Sequence, residues 1–372
     1  MRIESLTFLR FIAAFIVVIF HFGIGTWFTQ VFGRFVTAGP EMVSFFFVLS
    51  GFVMVVSQIK KENFCSKQYF YGRIARIFPV YLLGLLIIMP FKYNINPISN
   101  NTSLFLNLTF LQGWVSPYPL SFNSPSWSVS VEMFFYATFP LLLFFAKKAK
   151  PKPESLLIFS VFIWAFTQYI LINLLNSKFY QGFLTTSHDL IFYFPLSHFC
   201  SFLLGFSVAY YFLNSTFKEK ISNKNLSIFL SLFVLWLLYI CIVKEPFFKE
   251  YFSMNLPFGS SFFAPIFAIV IIVIAASRNI ITNIFSLKPF VFLGNISFSI
   301  YILHSPLHTV YKSKIMPLII DSEPSKTQNF LFFLVLLFIV CSAAYYIIEK
   351  PCQKILLKNY DKIRNTFNYL NR

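Results

Sequence analysis

Apolar runs of about 17 residues or more recur along this chain, and each is long enough to cross the roughly 30 Å hydrocarbon of a bilayer as a helix. They lie near residues 6–27, 41–59, 74–92, 127–146 and 155–175, and again near 190–213, 226–243, 259–277, 290–311 and 328–348. A hydrocarbon environment requires every backbone polar group to find a partner within the protein, which a helix provides segment by segment. The expected fold class is therefore all-α: a polytopic integral membrane protein of about ten transmembrane helices.

Composition agrees. The chain is 57% hydrophobic and only 12% charged, with 54 phenylalanines among 372 residues. Its formal charge of +17 would suggest nucleic acid in a soluble protein. Here the basic residues sit in short loops between apolar runs, a pattern that belongs to membrane topology, and no nucleic-acid partner is expected. Ten spans put both termini on one side. With that side as the cytoplasm, the inner segments hold 22 Lys and Arg and the outer loops 8 of the 30, which is the expected positive-inside bias.

Five cysteines, with no CxxC pair, support neither a disulfide framework nor a zinc knuckle. The first run carries Arg10 and His21 and has no small-residue cleavage motif, so it reads as a retained span. The inner loops, 60–76 and 147–154, are too short for an extra domain, and so are the 24 residues after Ile348. The chain thus divides into a membrane domain, 1–351, and a short basic cytoplasmic tail, 352–372. The longest outer segment, 93–125, contains LFLNLTFLQGW (104–114), too short to span. It is expected to lie in the interface or dip back as a lid, with Trp114 and Tyr118 at headgroup level.

Ionisable residues inside apolar runs are costly and usually face a protein interior. Arg10 and His21 are eleven residues apart, about three helical turns, so they leave the same face some 16 Å apart along the axis. His21, Glu132 and His304 all count to roughly 8–10 Å below the outer boundary. One carboxylate and two imidazoles at one depth could form an acid–base constellation if their helices are neighbours. Arg10, Arg73 and Arg76 gather on the inner side, where guanidinium forks suit a phosphate-bearing molecule from the cytosol. Plainer readings exist: positive-inside signal for Arg73 and Arg76, snorkelling for Arg10, a satisfied interior histidine for His21. His304 and His308 stand four apart, but Pro306 lies between them and no carboxylate is near in sequence, so no metal is expected. His188, Asp189 and His198 read as solvated or structural. Neither GxSxG, HExxH, GxxxxGK[ST] nor GxGxxG after a strand occurs, which argues against a soluble hydrolase or NTPase engine.

Six blocks in order resemble the membrane acyltransferase 3 family of bacterial O-acyltransferases. LRFIAAFIVVIFHF is similar to its Arg-x10-His first helix, with Arg10 and His21 in those roles. SFFFVLSGF (44–52) resembles its FFxxSGF span, with Ser44 where an acidic residue is frequent. RIARIFPVY (73–81) resembles RxxRIxP, and PSWSVSVEMFFY (125–136) resembles SWSLSxExxFY, carrying Ser126, Trp127, Ser128 and Glu132. GNISFSIYILHSP (294–306) is similar to GxxSYxxYLxHxP, with His304, and IIEKP (347–351) to the terminal ExP.

The resemblance implies ten helices and transfer of an acyl group, usually acetyl, from cytoplasmic acyl-CoA to a hydroxyl of a cell-surface polysaccharide, O-antigen or lipid-linked sugar. Acetyl-CoA is then a co-substrate and no cofactor is held. Some members fuse a periplasmic hydrolase-like domain; this chain is expected to act alone or with a separate periplasmic partner. On this reading Arg73, Arg76 and Arg10 hold the donor, and pantetheine runs along the first helix. His21, polarised by Glu132 if they touch, is the general base. Ser126, Trp127, Ser128 and His304 position the acceptor or the oxyanion. The alternative is a transporter or flippase for a glycan intermediate, whose charges would line a pathway.

Overall fold

The computed structural model describes residues 3–62, 64–221, 223–319, 324–358 and 360. Among these the regular structure is entirely helical, with no strand. Among the described residues nine helices are long and apolar enough to cross a bilayer, and a tenth apolar helix is shorter. In chain order the first five are α1 (Glu4–Phe22), α2 (Gly39–Gln58), α3 (Ser66–Lys92), α4 (Trp127–Ala149) and α5 (Pro153–Leu175). The others are α6 (Pro195–Asn214), α7 (Lys224–Val243), α8 (Ala264–Ala276), α9 (Lys288–Val310) and α10 (Lys326–Ala344). Most of the basic tail, 361–372, lies outside the described residues.

Two boundaries differ from the sequence expectation. The inner loop expected over 60–76 is helical from Ser66, so Arg73 and Arg76 stand on the inner half of α3 rather than in a loop. Hydropathy alone hides this because the first turns of α3 are polar. The eighth span, expected to run unbroken over 259–277, is interrupted. A wide turn over Phe258–Phe262 leaves helical geometry at Ser260 and Ser261, the latter at φ +68°, and α8 follows with only 13 residues.

Irregular backbone at membrane depth needs protein partners in place of water. Ser44 Oγ accepts from the Ser261 N–H at 3.1 Å, Trp164 Nε1 donates to the Ser261 carbonyl at 2.9 Å, and Gln168 Nε2 donates to the Ser260 carbonyl at 3.1 Å. The ring of His198 meets Ser261 Oγ at 3.3 Å. Ser44 and His198 thus serve the break in the chain, which accounts for two polar residues that need no reactive role.

Glycines set the closest crossings. A Cβ on Gly205 of α6 would lie 1.9 Å from the Val48 carbonyl oxygen of α2, and one on Gly51 would lie 2.3 Å from that of Phe202. On α9, a Cβ at Gly294 would lie 2.0 Å from the Thr7 carbonyl oxygen of α1. Small residues let membrane helices pack backbone to backbone where no hydrophobic force drives them together. The Gly294 contact seats α9 directly against α1, the helix that carries Arg10 and His21.

The outer segment is folded into the body of the protein. Its helix Asn101–Leu108 starts on a capping box between Asn100 and Ser103. Tyr81 Oη donates to the Asn107 carbonyl at 2.8 Å, and Gln112 Nε2 to the Ser126 carbonyl at 2.9 Å. Phe122 and Gln112 are fully buried, and Lys92 Nζ donates to the Phe122 carbonyl at 2.5 Å. A free lid would not bury these groups.

Candidate active site

A cavity with about 820 Å³ of empty space runs between α1, α2, α3, α4 and α9. Arg10, Arg73 and Arg76 line it together with Glu132, Tyr136, Ser128 and Tyr301. The three arginines come from two helices. The helical repeat puts Arg73 and Arg76 one turn apart on one face of α3, opposite Arg10 on α1. The Arg73 guanidinium lies 5.4 Å from the Tyr69 ring centroid and 5.5 Å from that of Tyr136. Such stacking holds a cation without neutralising it.

The carboxylate side of the site is less obvious from sequence. Glu132 Oε1 accepts from Tyr136 Oη at 2.5 Å, one turn along α4. A second cavity shares Arg10 and Arg76 with the first and adds Glu349, Asn295 and Gln353. Glu349 is buried and accepts from Ser299 Oγ at 2.9 Å. Glu132 lines the first cavity with all three arginines, and Glu349 lines the second with Arg10 and Arg76. Among the described residues no carboxylate comes within 4.0 Å of Arg10, Arg73 or Arg76, since both such ion pairs belong to Arg34. Three guanidiniums and two carboxylates, not ion-paired with one another, leave a net positive lining suited to an anion.

His21 and Glu132, which would have to touch for the carboxylate to polarise the ring, do not meet. Counting residues fixes depth but not the direction in which a side chain leaves its helix, and Glu132 faces the arginines. His21 meets His304 instead, with His304 Nε2 3.1 Å from His21 Nδ1. His21 Nδ1 also lies 3.0 Å from the Val17 carbonyl oxygen, and His304 Nδ1 lies 2.7 Å from that of Tyr301. His304 is fully buried while His21 is exposed. Neither histidine lines the basic cavity, but Tyr301, one turn inward of His304, does.

The hydrogen-bond pattern selects tautomers. A carbonyl can only accept, so His304 Nδ1 carries the proton given to Tyr301, and neutral His304 then offers Nε2 as an acceptor. His21 Nδ1–H donates towards Val17 and His304, leaving His21 Nε2 with a free lone pair.

The remaining expected site residues divide. Ser128 lines the cavity, and its hydroxyl receives Tyr301 Oη–H at 2.8 Å. Ser126 and Trp127 do not line it. The Ser126 hydroxyl is 3.4 Å from Asn107 Oδ1, and Trp127 packs against the rings of Tyr193 and His198. Sequence reasoning missed Tyr136, Tyr301 and Glu349 as site residues, although all three fall within motifs already singled out. No group of three His, Cys, Asp or Glu residues able to hold a metal occurs among the described residues.

These features define a polytopic membrane protein with a basic intramembrane cavity and a histidine pair just beyond its outer end. The chain belongs to the membrane acyltransferase 3 family: a family model described as an acyltransferase domain matches residues 3–349. It is 23% identical to the peptidoglycan O-acetyltransferase OatA of Listeria monocytogenes over 99% of this chain and 58% of that protein. It is 25% identical to the O-acetyltransferase OatA of Staphylococcus aureus over 71% of this chain and 45% of that one. A third relative, the acyltransferase MdmB of Streptomyces mycarofaciens, is 36% identical over 38% of this chain and 39% of its own. The chain therefore spans about two-fifths to three-fifths of the length of these curated relatives. No solved structure matches.

Proposed function

We propose that this protein is an O-acyltransferase of the bacterial inner membrane, moving an acetyl group from cytoplasmic acetyl-CoA to a hydroxyl of a cell-surface or lipid-linked glycan. The observation that carries this reading is the histidine pair at the outer end of α1, whose inner half brings Arg10 into a cavity with Arg73 and Arg76. Family membership and the O-acetyltransferase names of relatives support the reaction class. The acyl-CoA donor and the glycan acceptor are proposals.

The donor's phosphates rest on Arg73, Arg76 and Arg10, and the pantetheine arm passes Tyr136 and Glu132 towards Ser128 and Tyr301. His21 Nε2 takes the proton of the acceptor hydroxyl as its oxygen attacks the thioester carbonyl. The tetrahedral intermediate collapses with cleavage of the carbon–sulfur bond. The proton on His21 passes to the departing thiolate, giving an ester and free CoA thiol. His304 orients His21 and spreads the charge of its imidazolium. Tyr301 and Ser128, which line the cavity, are the hydroxyls that would turn to the oxyanion. Glu132 accepts from Tyr136 and does not polarise His21.

The test is thiol release and labelled acetyl transfer by the purified protein in nanodiscs. His21→Ala is expected to lower turnover about 10²–10⁴-fold, the usual worth of a general base, with acetyl-CoA binding retained. Wild-type turnover in that variant would overturn the mechanism. Glycan movement without thiol release would favour a flippase. A loss of about 42 mass units per glycan repeat on gene deletion would identify acetyl as the group transferred.

A further inference from the structure

Within α9, Pro306 lies two residues beyond His304. Proline has no N–H, so the carbonyl four residues earlier, that of Ile302, lacks its helical donor. A buried carbonyl in that position needs another partner. The structure provides one from far away in sequence: Asn123 Nδ2 donates to the Ile302 oxygen at 2.8 Å.

Asn123 is buried and its Oδ1 has no hydrogen-bond partner. Turning the amide over would set Oδ1 against the Ile302 oxygen, two acceptors face to face. The side chain is therefore held by its N–H alone. Gly84 of α3 gives it room, since a Cβ there would lie 3.3 Å from Asn123 Nδ2 and 3.1 Å from Ile302 Cγ2. The neighbours of Asn123 reinforce the contact. Ser124 Oγ lies 3.4 Å from Ser305 Oγ, and Tyr301 Oη donates to the Pro125 carbonyl at 3.3 Å as well as to Ser128. Residues 123–128 thus contact the turn 301–305 at Tyr301, Ile302 and Ser305, and His304 lies within it.

We infer that Asn123 is a positioning residue for the histidine pair: by supplying the donor that Pro306 lacks, it fixes the turn bearing His304, and through His304 the direction of His21 Nε2. It touches no reacting atom. The inference rests on the proposed role of His21, and it links the outer segment 93–125 to the rate of transfer.

The chemistry of the missing N–H supplies the experiment. Four proteins are compared in nanodiscs: wild type, Asn123→Ala, Pro306→Ala and the double variant, each assayed for acetyl transfer and thermal midpoint. Asn123→Ala is expected to lower kcat about tenfold with the acetyl-CoA KM within about twofold. Asn123→Leu, similar in size but with no donor, should do no better. Pro306→Ala restores an N–H at 306, so the double variant should match Pro306→Ala alone in both kcat and midpoint. An equal loss from Asn123→Ala in both backgrounds would overturn the inference, as would wild-type kcat in Asn123→Leu. His21→Ala separates the two readings. If it is inactive while the four-protein cycle shows no coupling, the Asn123 role fails and the general base stands. If it is active, the base assignment fails, and the midpoint cycle still decides whether Asn123 replaces the missing helical donor.

Discussion

Replacing His304 by alanine measures how much the second histidine contributes, and the structure sets the size of the effect. His21 Nδ1–H has two acceptors, the Val17 carbonyl oxygen at 3.0 Å and His304 Nε2 at 3.1 Å. Without His304 the Val17 carbonyl still holds that proton, so the reactive tautomer of His21 survives. What is lost is one hydrogen bond to a group that becomes an imidazolium as the reaction proceeds. Hydrogen bonds to charged groups are worth about 1.5–3 kcal/mol. At 1.36 kcal/mol per tenfold, that corresponds to a fall in kcat of about 10- to 150-fold, smaller than the loss expected for His21→Ala. The assay is thiol release at saturating acetyl-CoA and acceptor, with the donor KM measured in parallel and expected to stay near wild type. Since His304 is fully buried, His304→Gln serves as a larger replacement that controls for the space left by alanine. A loss equal to or greater than that of His21→Ala would refute the order of the two rings and make His304 the base. Less than a twofold loss would remove His304 from the mechanism.

Two further outcomes follow from the same geometry. Gly205→Ala should destabilise the protein by at least about 1–3 kcal/mol, the usual range for overpacking, because its Cβ would fall 1.9 Å from the Val48 carbonyl oxygen; a wild-type thermal midpoint would refute this account of the α2–α6 crossing. Arg76→Lys keeps the charge but removes the fork that grips a phosphate in two places, so the acetyl-CoA KM should rise about tenfold with kcat little changed, and an unaltered donor titration would take Arg76 out of donor binding.

Much of the architecture follows from patterns in the sequence that physics reads directly. Apolar length reveals the spans, and an eleven-residue spacing puts Arg10 and His21 on one helix face. Other features depend on tertiary geometry. Depth counting brings His21, Glu132 and His304 to one level, yet Glu132 turns towards Arg10 while the two histidines meet, because rotation about a helix axis is set by packing such as that of Gly294 on Thr7. Hydropathy extends the eighth span through Ser260 and Ser261. The break there is sustained by Ser44, Trp164 and Gln168, which come from two other helices. Ser44 occupies a position where an acidic residue is frequent in the family pattern. Its hydroxyl is committed to the Ser261 backbone, so a carboxylate role at that position does not arise here.

The arrangement of α1 bears on how an acetyl group would cross a membrane under the proposed mechanism. A CoA molecule carries phosphates that are costly to bury, and Arg10, Arg73 and Arg76 lie on the inner side, where those charges can remain. Arg10 and His21 are separated by about 16 Å along the helix, so an extended pantetheine arm could present the thioester near the outer end while the nucleotide stays on the arginines. Tyr301 links the two regions: its hydroxyl faces Ser128 at the cavity wall and its carbonyl accepts from His304. Only the acetyl group, neutral and small, then has to pass that layer, and ester formation with a hydroxyl at His21 completes its crossing. Translocation and chemistry become one step, with no separate path for a charged carrier through the bilayer.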